Sequence, residues 1–91
     1  MLDTVALLSE YFGTFLLLLT ILASGGNALA IGASLALIVF LIGRKSGAHV
    51  NPAVSVTMYM RGALGFEELL GYIFVQVLGG VSSLYVYRAF A

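Results

Sequence analysis

Residues 46–55 read SGAHVNPAVS, a polar segment with the chain's one proline, in a sequence that is otherwise strongly apolar. Asn51 is a favourable N-cap, and Pro52 stands at a first helical position, where no N–H donor is needed. These two residues predict a helix from Pro52 to Met60. At about 1.5 Å per residue, this helix covers roughly half of the ~30 Å hydrocarbon thickness of a bilayer. We therefore expect it to enter the membrane and stop inside it.

The N-terminus of such a half-helix is unusual at membrane depth. It carries roughly half a positive elementary charge and several backbone N–H groups without intrahelical partners. Within the hydrocarbon region these groups are tolerated only beside protein or a water-filled cavity. The segment therefore indicates a pore lining.

The composition independently indicates a membrane protein. Hydrophobic residues make up 62% of the 91 residues, and charged residues only 9%. The formal net charge is zero, which argues against nucleic-acid binding. The sequence has no cysteine and a single histidine, so a metal site is not expected. No pattern indicates an enzyme or a cofactor.

Hydropathy places three membrane spans, at about residues 5–23, 27–43 and 69–90. The re-entrant loop and half-helix occupy about residues 44–60, between the second and third spans. We predict an all-α membrane protein in which residues 1–91 form one unit of three transmembrane helices and one re-entrant half-helix. Such a protein is integral and multi-pass, and it is surrounded by membrane lipids.

An alternative interpretation treats the first span as a cleaved signal peptide, because Ala28-Leu29-Ala30 has small residues at the spacing of a cleavage site. The apolar stretch is longer than the usual ~7–15 residues. It also starts with Asp3 instead of basic residues, and Glu10 lies within it. We therefore favour a membrane span.

Several motifs together give the chain a family resemblance. It resembles the aquaporin, or major intrinsic protein, family, and the motifs follow in the family's order over nearly the whole chain. One Asn-Pro-Ala triplet alone would be a weak signal, whereas several signatures at matching separations are a strong one. The matching segments are the Asn-Pro-Ala loop at 46–54, the Glu-x-x-Gly-Thr signature at 10–15, the second-helix start at 30–32, and Tyr72, Gln76 and Gly79 of the third span.

The resemblance implies one half of a channel. Family members carry two such repeats in tandem with opposite orientations, and these 91 residues contain one Asn-Pro-Ala motif. We expect two copies of the chain to pair as an antiparallel homodimer around one pore for water and small neutral solutes such as glycerol. The family forms tetramers of pores, so the analogous assembly would contain eight chains.

The resemblance also implies which residues line the pore. Asn51 is expected to donate to passing water, although a role as N-cap alone is the alternative. Pro52 and Ala53 would pack the two half-helix ends together. His49 would contact water through its ring or brace the loop, and the sequence leaves both roles open. The expected pore-lining residues are Asn51, Gly47, Ala48, His49, Val50, Leu17, Ile31, Leu35 and Val54.

Three further residues are expected to support the loop. Glu10 is ionisable within an apolar span, and the resemblance implies that it accepts hydrogen bonds from loop N–H groups. Gln76 and Tyr72 would brace the loop from the third span. These roles are structural, and they would hold the half-helix in place.

The charge distribution leaves the identity of the second half open. Three basic residues (Arg44, Lys45 and Arg61) lie on the side of the N-terminus, and Arg88 lies on the other side. This bias favours one orientation under the positive-inside rule, unless Arg44 and Lys45 reach into a vestibule. A non-conducting or regulatory half that pairs with a different Asn-Pro-Ala half, or with a full-length channel, is therefore the alternative. A degenerate fragment is less attractive, because the motifs keep their spacings.

Overall fold

The computed structural model describes residues 2–91, which form four α-helices. Helices α1, α2 and α4 are long and apolar enough to cross a membrane, whereas α3 has only 9 residues. The predicted all-α fold, with three spanning helices and one short helix, is confirmed. The helices are α1 (Thr4–Ala23), α2 (Ala28–Ser46), α3 (Pro52–Met60) and α4 (Phe66–Phe90).

Polar caps set several helix ends and explain where these bounds differ from the hydropathy estimates. Asp3 caps α1 by accepting from Val5 N at 2.9 Å. Helix α4 begins at Phe66 instead of near residue 69, because Glu68 accepts from Gly65 N at 3.0 Å. Helix α2 continues to Ser46, past two basic residues, and ends at the left-handed Gly47. Charged helical ends lower the local hydropathy, so a hydropathy window places the ends too far inward.

Helix α1 organises the bundle, because it packs against both α4 and α2, while α3 packs against α4. Helices α1 and α4 approach each other closely at Gly79. A Cβ atom on Gly79 would lie 2.5 Å from the Tyr11 carbonyl oxygen and 3.2 Å from Phe15 N. On the same interface, Tyr11 donates from its hydroxyl to Ser82 Oγ at 3.0 Å. Close backbone approach through small residues is the usual packing mode of membrane helices.

Gly79→Ala is expected to destabilise the protein by about 1–3 kcal/mol, because the added methyl group forces α1 and α4 apart against backbone atoms. Unfolding by a denaturing detergent, followed by circular dichroism, measures this change. Gly80→Ala is the matched control, since a Cβ there meets Leu18 Cγ at an ordinary 3.6 Å. We expect this control to be neutral or slightly stabilising, because alanine favours helix. Equal effects of the two variants would contradict the close α1–α4 contact.

The described interior is rich in polar groups, and the exterior is apolar. Large apolar side chains face outward on every long helix, among them Phe12, Phe40 and Phe74. This distribution is typical of a protein whose surroundings are lipid or further protein. The buried polar or charged residues are Ser9, Glu10, Thr14, Ser46, Ser55, Gln76 and Ser83.

Candidate functional site

The loop between α2 and α3 has an uncommon backbone. Gly47 has a φ of 87°, Ala48 of 51° and Val50 of 45°. Glycine adopts such values freely, but the left-handed region costs other residues roughly 1–2 kcal/mol each, and a β-branched valine there is rare. Contacts from the rest of the protein must therefore hold this loop.

Glu10 of α1 supplies those contacts. Its side chain is fully buried, at 0% exposure. Oε1 accepts from Val50 N at 2.7 Å and from Gln76 Nε2 at 2.9 Å. Oε2 accepts from His49 N at 2.9 Å and from Ser46 Oγ at 2.7 Å. Every partner is a donor, which suits an ionised carboxylate, because that group only accepts.

Further hydrogen bonds join the loop to α3 and α4. Gln76 Nε2 donates to Ser55 Oγ at 2.8 Å, and Ser55 Oγ lies 2.8 Å from His49 Nδ1. The Tyr72 hydroxyl donates to the Ser46 carbonyl oxygen at 2.8 Å. Its ring packs against that of His49, with centroids 5.1 Å apart. All four helices thus contribute polar groups to one buried network around the loop.

An apolar cluster holds the other side of the loop. Ile38 of α2 packs with Ala48 and Val50, and Leu17 and Ile42 pack against them. Gly13 gives this cluster its room, since a Cβ atom there would lie 2.7 Å from Val50 Cγ1. The glycine of the Glu-x-x-Gly signature is therefore needed for the approach of α1 to the loop.

Asn51 caps α3 and leaves a donor group free. Its Oδ1 accepts from Ala53 N at 2.8 Å, and Pro52 takes the first helical position. Because only the amide oxygen can accept, this bond turns the NH₂ group away from the helix. That group makes no hydrogen bond within residues 2–91, and Asn51 is exposed. The site therefore presents an amide donor at the positive end of a short helix.

Most of the chain matches the model of a known protein family. The family model described as "Major intrinsic protein" matches residues 23–91, which include the loop, α3 and α4. The chain belongs to the major intrinsic protein family. Membership and the three spanning helices make it an integral membrane protein.

One curated relative extends the comparison. The protein named "Probable glycerol uptake facilitator protein" of Thermotoga maritima is 42% identical to the chain over 60 residues. The aligned residues are 65% of this chain and 26% of the relative. The chain thus matches about a quarter of that protein's length.

The remaining pore-lining candidates of this family member lie outside the polar network. Leu17 packs against the apolar cluster. Leu35 is 40% exposed on α2, and Ile31 lies about one turn earlier, half-buried. Val54 is half-buried on α3. Their pore-facing roles stay predictions, as do the roles assigned to the loop residues.

The sequence analysis missed two serines in the network. Ser46 contacts both Glu10 and Ala48 N, and Ser55 is fully buried between Gln76 and His49. The available signal for Ser55 was its place four residues after Asn51, one turn into the half-helix. Two buried polar atoms among residues 2–91, Thr14 Oγ1 and Gln76 Oε1, have no hydrogen-bond partner.

Proposed function

We propose that this chain forms, with a second inverted repeat, a passive channel for water and small neutral solutes. The observation that carries this proposal is the exposed amide of Asn51 at the N-terminus of α3. A donor there binds the oxygen of water or of a hydroxyl group. The positive end of the helix repels cations, so the site favours neutral solutes and disfavours proton hopping.

Proposed roles for the surrounding residues follow from their contacts. Glu10, Gln76 and Tyr72 keep the loop in its strained conformation through their bonds to residues 46–50 and to Ser55. The carbonyl groups of Gly47, Ala48, His49 and Val50 then serve as acceptors along one wall of the path. Leu17, Ile31, Leu35 and Val54 supply the apolar walls.

A second repeat is required on physical grounds. Asn51 and Gly47 are exposed in the single chain, and each unpaired polar group in hydrocarbon costs several kcal/mol. We propose that the second repeat is an inverted copy of this chain, so that two half-helices meet end to end with Pro52 and Ala53 in contact. By analogy with the family, the corresponding assembly contains four such pores and therefore eight chains.

The side chains proposed for the mouth favour solutes larger than water. In a homodimer, both mouths carry Ile31 and Val54, which add neither an aromatic ring nor a charge. The name of the Thermotoga maritima relative supports the same solute class, since it refers to glycerol. Glycerol is therefore the first solute to test beside water.

Stopped-flow flux measurements on the purified chain in liposomes test the function. We expect water and glycerol to cross faster than in empty liposomes, with no matching rise in proton flux. Absence of any neutral-solute flux, with insertion verified by protease protection, would overturn the conducting function. That result would favour the non-conducting half that pairs with a different partner.

Labelling of an added terminal cysteine tests the antiparallel pairing. The chain has no cysteine of its own, so all labelling occurs at the added cysteine and shows on which face that terminus lies. We expect each terminus to be labelled partly from either face of the liposome, and cross-linking in mild detergent to trap dimers. A uniform orientation would contradict the homodimer and agree with the bias of Arg44, Lys45 and Arg61 against Arg88.

A further inference from the structure

The amide of Gln76 has a fixed orientation. Its Nε2 lies 2.9 Å from Glu10 Oε1 and 2.8 Å from Ser55 Oγ. A carboxylate that accepts from three other donors cannot face an amide oxygen at that distance, so the NH₂ group must point toward Glu10. The buried Oε1 of Gln76 is left without a partner, which is the cost of this orientation. Both amide hydrogens are therefore in use, one of them on Ser55.

The hydroxyl of Ser55 then has one direction in which to donate. Ser55 is 0% exposed, so solvent does not reach it. Its oxygen accepts from Gln76, and the other atom within hydrogen-bond distance of it among residues 2–91 is His49 Nδ1, at 2.8 Å. If Nδ1 carried the proton, the buried hydroxyl hydrogen would have no acceptor. Every polar hydrogen finds an acceptor only if the Ser55 hydroxyl donates a hydrogen bond to an unprotonated Nδ1.

We propose that Gln76 and Ser55 are positioning residues that hold His49 in the tautomer protonated at Nε2. The relay runs from the Glu10 carboxylate through the amide and the hydroxyl to the ring. Nε2 lies beside the exposed Gly47, 3.1 Å from where a Cβ atom there would stand, and it makes no hydrogen bond within residues 2–91. The relay thus ends in an N–H donor at the loop surface. Only the use of this donor by a passing solute rests on the proposed function.

Nuclear magnetic resonance of the ring nitrogens tests the tautomer directly. His49 is the single histidine, so labelling histidine with ¹⁵N gives signals that need no assignment. In mildly alkaline buffer, where imidazole is neutral, we expect one species with a protonated Nε2 and an unprotonated Nδ1 in the folded protein. A protonated Nδ1, or the rapidly averaged mixture typical of a free imidazole, would overturn the proposal.

Two substitutions separate positioning from general structural support. Ser55→Ala removes the donor to Nδ1, and we expect the single tautomer to be lost. Ser55→Thr keeps the hydroxyl and should restore it. Ser34→Ala is the control, because it removes a serine that bonds Thr20 at 3.1 Å, outside the relay. Retention of the parent tautomer in folded Ser55→Ala protein would refute the role of Ser55.

Different measurements test the channel function and the His49 tautomer. If Ser55→Ala does not fold, the parent and Ser55→Thr spectra still decide the tautomer. Loss of neutral-solute flux in a parent protein that keeps Nε2 protonated would count against the channel and leave the relay intact. A wrong tautomer in a protein that conducts would count against the relay and leave the channel intact.

Discussion

Replacing Glu10 by glutamine is expected to lower the free energy of unfolding by about 2–5 kcal/mol, because it leaves buried donors without acceptors. Each carboxylate oxygen of Glu10 accepts two hydrogen bonds. An amide has one oxygen, so its NH₂ group must face one of the two donor pairs. Ser46 can turn toward the Ile42 carbonyl oxygen, but the N–H of His49 has no such alternative. The loop, in which Ala48 and Val50 have positive φ values, then loses one of the hydrogen bonds that hold it.

Unfolding in mixed detergent micelles measures this loss, and Glu67→Gln is the matched control. Glu67 undergoes the same change of chemistry on the exposed first turn of α4. We expect the control to stay within about 0.5 kcal/mol of the parent, as exposed substitutions usually do. If Glu10→Gln were as stable as Glu67→Gln, the carboxylate would not be holding the loop.

The helices could be predicted from the sequence because their signals are local. Apolar runs identify α1, α2 and α4, and the adjacent Asn51 and Pro52 mark the start of α3. The errors in the helix ends predicted from hydropathy have a local cause as well. Glu68 and the basic end of α2 lower the hydropathy of residues that are helical because they are capped.

The polar network could be predicted only in part, because its bonds join distant residues. Glu10 and Ser46 are 36 positions apart, and Glu10 and Val50 are 40 apart. No periodicity encodes such a pair, so the role of Glu10 as a loop support is predictable only from the family resemblance and from its charge in an apolar span. Ser46 and Ser55 gave no comparable signal. A serine in a helix commonly bonds its own backbone, and only the packing of α3 against α4 brings Ser55 to Gln76.

Asn51→Asp is expected to raise proton or sodium flux through the proposed channel on the order of tenfold or more, since about 1.4 kcal/mol of barrier is a factor of ten. Aspartate is as good an N-cap as asparagine, so the bond to Ala53 N and the start of α3 should survive. The change replaces the outward NH₂ donor with a negative oxygen. In the proposed homodimer, two such carboxylates meet at the midplane and offset the two positive helix ends.

Asn27→Asp is the matched control, because Asn27 is also an exposed N-cap, accepting from Ala30 N at 2.9 Å, but it lies in the turn before α2. We expect this control to show no rise in cation flux. Asn51→Ala should lower water flux and cost roughly 1 kcal/mol through the lost cap, without admitting cations.

If folded Asn51→Asp channels still excluded cations at neutral pH, two explanations would be left. Either the carboxyl group is protonated, or residue 51 does not face the path. Raising the pH separates them, because a protonated carboxyl group would ionise and begin to admit cations. Continued tightness would remove Asn51 from the permeation path. The Glu10 network would then be a loop support that serves some purpose other than presenting this amide, and the channel proposal would lose the observation that carries it.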